Sequence, residues 1–249
     1  DILGCALDYG GPTSHVALMA RALGVPAVVG LHDLTDKVED GDQMILDGFS
    51  NRVVVNPTEA TLRGYREKQA RYHHVLEEQK KLRPLPAENL DGEVCTVQAN
   101  GEFKEELSLL DDYGAEGIGL FRTEILGLTY NGILGEDEQR EIYKEALSVT
   151  APNPVTFRLI DLGGDKMLPM AHREHNPFLG WRGMRILLEK KELLETQLRA
   201  ILEASTEGKA RILLPMITGL DEIDRFRAVL HHVEEELDRE EVEYADDID

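Results

Sequence analysis

From Pro86 onward the chain alternates strand-like and helix-like runs, and no other feature restricts its fold as much. The strand-like runs are Glu93–Gln98, Gly117–Phe121, Val155–Ile160 and Ala210–Ile217. Between and after them, helical periodicity covers Lys104–Tyr113, Asp137–Val149, Glu192–Ala204 and Asp221–Asp238. The last of these carries an apolar face of Ile223, Phe226, Leu230, Val233 and Leu237. Four successive βα units imply parallel strands joined by right-handed crossovers, and so an α/β fold. A doubly wound sheet and a TIM-type barrel both satisfy the pattern. No glycine-rich dinucleotide fingerprint follows the first strand, which weakens the Rossmann alternative.

In a parallel α/β fold the ligand mouth lies at the carboxyl ends of the strands, and the charged residues fall there. Arg122 ends the second strand in GIGLFRTE. Arg158 lies in the third, RLIDLGGDK, whose glycines open a loop ending at Lys166, and Arg182 stands beside Trp181 in NPFLGWRGMR. Guanidinium groups bind phosphate and carboxylate in bidentate fashion, so the set suits a ligand that bears both. Taken singly, each has an ordinary structural explanation: Arg122 paired with Glu124 or Glu116, Lys166 solvated in a loop, Arg182 or Arg185 paired with Glu189.

The amino-terminal stretch Gly10–Gly30 has a different character. Gly10-Gly11 permits a tight turn, Thr13 and Ser14 are good helix caps, and a helix is predicted from about His15 to Gly24. Val16, Met19, Ala20 and Leu23 form a stripe expected to dock that helix on a core. His15 precedes the stripe, where the helix dipole disfavours imidazolium and favours the neutral, nucleophilic ring. The unpaired N–H groups of the first turn would also favour a phosphoryl group on that ring. A lone histidine at a helix start is more often an ordinary exposed residue, so the surrounding string has to decide the matter.

Strands are predicted at Ile2–Leu7, Pro26–Val29, Gln43–Leu46 and Arg52–Val55, the last two joined at the Asp47-Gly48 turn signal. After Asn56-Pro57-Thr58 about 25 residues contain no proline until Pro84, giving a helix about 37 Å long with a heptad-like seam of Leu62, Tyr65, Tyr72, Leu76 and Leu82. A solvated spacer and a coiled-coil arm both fit, and its position between differently patterned regions favours a connector. The expected organisation is residues 1–56, a linker helix over 57–84, and 85–249.

With 48 acidic against 27 basic residues the net charge is −21, which argues against nucleic acid or an anionic membrane as partner. Cys5 and Cys95 lack metal-ligand spacing and read as buried strand thiols of a reducing compartment, and no long apolar run is present. A soluble cytoplasmic protein is expected. The chain starts at Asp1 and runs straight into the apolar ILGCAL, as a fragment or processed product would.

The string GGPTSHVALMARALGVPAVVG resembles the phosphohistidine motif of the PEP-utilising enzymes. GAEGIGLFRTE, RLIDLGGDKMLPM, NPFLGWRGMRILL, QLRAILEAS and ILLPMI are similar, in order, to the PEP-binding domain of the Enzyme I branch of that family, which serves the bacterial phosphotransferase system. Pro12 stands where many members carry Arg, Lys or Met, and Leu159 where Thr is usual.

The resemblance implies the carboxyl-terminal part of a swivelling phosphohistidine domain, a linker helix, and the first half of a (β/α)8 PEP-binding barrel. His15 would carry the phosphoryl group, Arg122 and Arg158 would bind PEP, and Lys166 and Arg182 would lie near them. It also implies Mg²⁺ with ligands beyond residue 249, transfer to the phosphocarrier HPr in support of sugar uptake, and a homodimer. A PEP synthase or pyruvate phosphate dikinase relative and a regulatory, nitrogen-related paralogue are the alternatives. A piece ending at residue 249 is not expected to phosphorylate itself.

Overall fold

The computed structural model describes residues 2–12, 14–22, 24–101, 104–124, 134–163 and 180–249. The chain divides into two units, Asp1–Leu85 and Pro86–Asp249.

In the first unit, strands β1 (Cys5–Leu7) and β2 (Ala27–Val29) pair in parallel around helix α1 (His15–Ala22). Ser14 caps α1, its hydroxyl accepting from the Ala17 N–H at 3.4 Å. Gly24, at φ +65°, ends the helix: its N–H donates to the Arg21 carbonyl and that of Val25 to the Ala20 carbonyl, a Schellman closure that glycine makes without strain. The predicted docking stripe is only partly buried. Ala20 is covered, but Val16 and Met19 are 43% and 45% exposed, and Leu23 lies outside the described residues. Among the described residues this unit buries few apolar side chains, Ala20, Val28, Leu34 and Leu62, too few to cover a whole helix face.

Strands β3 (Met44–Asp47) and β4 (Arg52–Val55) form an antiparallel hairpin whose register, Asp47 opposite Arg52, leaves a four-residue loop in place of a two-residue turn. Asp47 organises that loop by accepting from the Phe49 and Ser50 N–H groups. Helix α2 (Glu59–Lys80) is capped by Thr58, whose hydroxyl accepts from the Thr61 N–H. The heptad seam is not a packed one. Leu62 alone in α2 is buried, Tyr72 is largely exposed, and Leu82 lies beyond the helix end. The hairpin holds α2 instead, through Lys68 on Asp47 at 2.5 Å and Tyr72 edge-on to Phe49 at 5.1 Å between centroids.

The second unit opens with a small hairpin, β5 (Ala87–Glu88) with β6 (Val94–Cys95). It then builds one parallel sheet from β7 (Ala99–Gly101), β8 (Ile118–Arg122), β9 (Val155–Arg158) and β10 (Ala210–Leu213). The first sheet strand is therefore Ala99–Gly101, not Glu93–Gln98. In the latter run Val94, Cys95 and Val97 face solvent, so Cys95 is not the buried thiol expected and Cys5 is only half-buried, whereas the small residues of β7 fit beneath Ile118 and Phe121, which close on Gly101 to van der Waals contact. Ala-Asn-Gly has weak strand propensity, which hid this strand from sequence reading.

A 3₁₀ segment (Lys104–Leu109) and α3 (Leu110–Tyr113) follow β7, α4 (Glu136–Thr150) precedes β9, α5 (Met184–Glu189) and α6 (Lys191–Ala204) precede β10, and α7 (Leu220–Arg239) ends the series. Strands neighbour one another in chain order without reversal, α4 packs on α6 and α6 on α7. This sheet has no topological switch point, as a doubly wound sheet would. The core between sheet and helices centres on Phe121, Phe157 and Tyr143, whose rings lie 4.6 to 6.3 Å apart, with Leu147, Leu194, Leu198, Ile201, Val233 and Leu237 around them.

Candidate active site

Arg122 and Arg158 end β8 and β9 and are register partners, so their side chains leave the same face of the sheet. A bulge makes this possible. Ile118 pairs with Val155 and Phe121 with Phe157: three residues on β8 span two on β9, and the same extra residue appears against β7. Had β8 alternated regularly from the buried Ile118, Arg122 would share its face and point into the helix-packed core. The extra residue at Gly119-Leu120 puts Phe121 on the helix side and turns Arg122 to the face of Arg158. Gly119 fits tightly, since a Cβ there would lie 3.1 Å from the Gln98 side chain.

Arg158 is ion-paired with Glu124, two residues past the end of β8, and both side chains are largely buried. Arg182 makes a bidentate pair with Asp161, Nε to Oδ1 at 2.9 Å and Nη2 to Oδ2 at 2.8 Å. The segment carrying Arg182 is moored to the sheet end because the Gly183 N–H donates to the Leu162 carbonyl and the Met184 N–H to that of Pro215. Gly163 lies against Arg182 and has φ +141°; a Cβ there would be 2.8 Å from that of Arg182.

Each carboxylate fixes the direction of its guanidinium, a planar array of N–H donors whose geometry matches carboxylate and phosphate. The simple structural pairings considered for these residues are not the ones found. Glu124 pairs with Arg158 rather than Arg122, Glu116 accepts from the Val97 N–H, Glu189 accepts from the Trp181 indole, and Arg185 donates to the Gly180 carbonyl while standing 4.0 Å from Glu222. Lys166 lies outside the described residues.

Beneath the arginines runs a line of buried polar groups that sequence reading did not identify. Thr123 Oγ1 donates to the Arg158 carbonyl at 2.7 Å and accepts from Gln197 Nε2 at 3.1 Å. Gln197 Nε2 also donates to the Tyr143 hydroxyl at 3.2 Å, and that hydroxyl donates to Gln139 Oε1 at 2.9 Å. Burial pushes the Tyr143 phenol far above its ordinary range, so it remains a donor. The available signal was a glutamine on the apolar face of α6 between Leu194 and Leu198, an amide that needs partners in a core.

In the first unit His15 is the opening residue of α1, directly after its Ser14 cap. The approach is fixed by Gly10 at φ +112° and by the Ser14 N–H donating to the Gly11 carbonyl. The neighbouring loop is pinned by Asp8, which accepts from the Leu34 and Thr35 N–H groups and the Thr35 hydroxyl. That hydroxyl leads the backbone donors in holding Asp8 below its ordinary pKa, against the opposing effect of burial.

The family described as PEP-utilising enzyme, PEP-binding domain, matches residues 76–249, and that described as PEP-utilising enzyme, mobile domain, matches residues 1–51. The chain belongs to the PEP-utilising enzymes. It is 40% identical over 249 residues to the PEP-protein phosphotransferase of Buchnera aphidicola, covering 99% of this chain and 44% of that protein. Against the enzymes of the same name from Geobacillus stearothermophilus and Staphylococcus aureus the identities are 42% and 39%, over all of this chain and 43% and 44% of theirs. The chain thus spans less than half the length of these relatives.

The family implies Mg²⁺, and the described side chains do not fit one. Among the described residues no three of His, Cys, Asp and Glu converge, and the buried carboxylates at the strand ends, Glu124 and Asp161, are each committed to an arginine. No described helix is long and apolar enough to cross a membrane.

Proposed function

We propose that this chain is the part of a PEP-protein phosphotransferase in which the phosphoryl acceptor, His15, and the phosphoryl-binding arginines, Arg122 and Arg158, sit on separate units. The observation that carries the reading is the bulge-assisted placement of two arginines, register partners on one face, at the strand ends of the unit that matches the PEP-binding domain. Residues 1–51, with His15 at the head of α1, match the mobile domain. The order of sheet strands, the helices packed in series and the family match support a swivelling phosphohistidine domain over 1–56, a linker helix over 57–84 and the first half of a (β/α)8 barrel over 85–249.

PEP presents a carboxylate and a phosphate, both ligands for guanidinium. Charge spreads over the phosphoryl oxygens as the group moves, and cations already fixed in place stabilise it without reorganising. Arg158, held by Glu124 on one side and by Thr123 through its carbonyl, is fixed in that sense, and Arg122 is aimed to the same face. The neutral imidazole of His15 attacks phosphorus, an N–P bond forms as the enol C–O–P linkage breaks at the O–P bond, and pyruvate enolate leaves to take up a proton. Unpaired first-turn N–H groups at a helix start favour a phosphoryl group on such a ring. Arg182, set by Asp161, belongs to the same ligand mouth, and the family resemblance assigns Lys166 to PEP binding as well.

The relatives' name and the family resemblance support HPr as the acceptor, a cytoplasmic homodimer, service to sugar uptake, and Mg²⁺ held by residues outside this chain. The test is transfer without nucleotide. Full-length protein given labelled PEP and Mg²⁺ should pass the label to purified HPr with no ATP or AMP present. A requirement for nucleotide would favour the PEP synthase or dikinase branch instead.

A further inference from the structure

We propose that Gln197 and Thr123 are positioning residues that set the direction of all three arginines at the strand ends; the inference rests on the reading of Arg122 and Arg158 as PEP ligands. Gln197 sits in the middle of α6 with no exposed surface, among Leu194, Leu198 and Ile201. An amide in such a place destabilises a core unless every one of its hydrogen-bonding groups is engaged. Here they are. Oε1 accepts from the Ile160 N–H at 2.9 Å, and the two Nε2 protons go to Thr123 Oγ1 and the Tyr143 hydroxyl.

The direction of each bond is determined. Thr123 has one hydroxyl proton, given to the Arg158 carbonyl, so its oxygen is left to accept from Gln197. Tyr143 gives its one proton to Gln139, whose own amide donates to the Leu134 carbonyl. No alternative arrangement of these protons keeps all the bonds, and so the line from residue 134 to residue 160 holds a single geometry.

What this line grips is the backbone that aims the arginines. The β8–β9 pairing ends at Arg122 and Arg158, and Thr123, the next residue, extends it by clasping the Arg158 carbonyl with its side chain. Gln197 clasps the Ile160 N–H, two residues further along the same segment. Asp161, which holds Arg182 on both oxygens, follows directly. One amide on a helix therefore governs Arg122 through its neighbour Thr123, Arg158 through the backbone that leaves it, and Arg182 through Asp161. A core of apolar side chains would support the sheet end equally well, but it would not fix the torsions of residues 158–161.

The experiment uses the full-length protein and steady-state kinetics with PEP, alongside thermal unfolding. Thr123→Val keeps shape and removes the hydroxyl. It should lower kcat/KM for PEP roughly ten- to a hundredfold, the range for a small displacement of a positioning group, at temperatures where the variant is folded. Thr123→Ser, which restores the hydroxyl, should return to within about threefold of wild type. Gln197→Met should lose at least as much as Thr123→Val; should it fail to fold, the Thr123 pair decides alone.

A Thr123→Val protein with a lowered melting temperature but PEP kinetics within twofold of wild type overturns the inference, since that is the signature of a merely structural contact. So does a Thr123→Ser protein no better than Thr123→Val. Wild-type protein that takes no phosphoryl group from PEP removes the underlying reading, a result distinct from either of these.

Discussion

The two units hold their working residues by different means. Pro86–Asp249 is organised on a dense core in which Phe121, Tyr143, Phe157, Leu194 and Leu198 have no exposed surface, and its arginines stand on strand ends fixed by a fully bonded polar line. Asp1–Leu85 has little such core. Val16, Met19, Phe49 and Tyr72 are exposed in it, and its shape depends on local polar clasps, Asp8 on the Leu34-Thr35 loop and Asp47 on its own turn and on Lys68. A receiving site that must stabilise developing charge gains from rigidity. On the proposed function, a carrier histidine needs only a well-formed helix start around it, and a few short-range bonds supply it.

The largest effect expected from disturbing this arrangement is catalytic. Arg122→Ala or Arg158→Ala in the full-length protein should slow PEP-dependent phosphorylation about a thousandfold or more, as loss of other phosphoryl-stabilising arginines does, while leaving the first unit intact. Equal rates in rapid-quench labelling would dissociate the strand ends from the reaction.

Next comes the core. Phe157→Ala, which opens the aromatic cluster, should cost about 3–5 kcal/mol in urea unfolding of the second unit, against about 2 kcal/mol for Leu62→Ala in the first. Reversal of that order would erase the contrast between the units.

Gly163→Ala should be milder, about 1–3 kcal/mol, because it combines an unfavourable φ with a contact on Arg182; it should also weaken PEP binding. A variant as stable as wild type would mean that the Gly163–Arg182 approach relaxes at no cost.

The smallest effect concerns the clasp on α2. The Lys68 ammonium, followed by Ser50, lowers the Asp47 carboxyl from 3.8 to about 2. A depressed carboxyl contributes stability that is complete above pH 3.8 and is lost as the pH falls through about 2. With Lys68 half-exposed the contribution is at most about 1 kcal/mol. Acid unfolding of Asp47→Asn should lack that part of the transition, and an unchanged acid limb would show the clasp to be energetically silent.

Much of this was legible in the residues, and the exceptions have physical causes. Gly10-Gly11, Ser14 and Gly24 specify α1 and the place of His15 by local turn and cap chemistry, which sequence carries directly. Arg122 falls at a strand end because the apolar run before it is clear, whereas the strand expected to reach Ile160 stops at Arg158. That they share a face was not legible, since it depends on one extra residue at Gly119-Leu120, signalled only by a glycine inside a strand. The carboxylates that hold the arginines were visible in FRTE and RLIDLGG, but their pairing is decided by register between strands, and sequence spacing favoured the wrong partner for Glu124. The stripe on α1 misled because periodicity reports an apolar face and not what covers it.

The central claim is that His15 receives a phosphoryl group from a ligand bound at the arginines of the other unit. The direct measurement is peptide mapping of full-length protein after brief incubation with labelled PEP and Mg²⁺, comparing wild type, His15→Ala and Arg158→Ala. The account predicts an acid-labile phosphohistidine on the peptide containing His15, absent in His15→Ala and strongly reduced in Arg158→Ala. Label of wild-type amount in His15→Ala, or on any other residue, would contradict it.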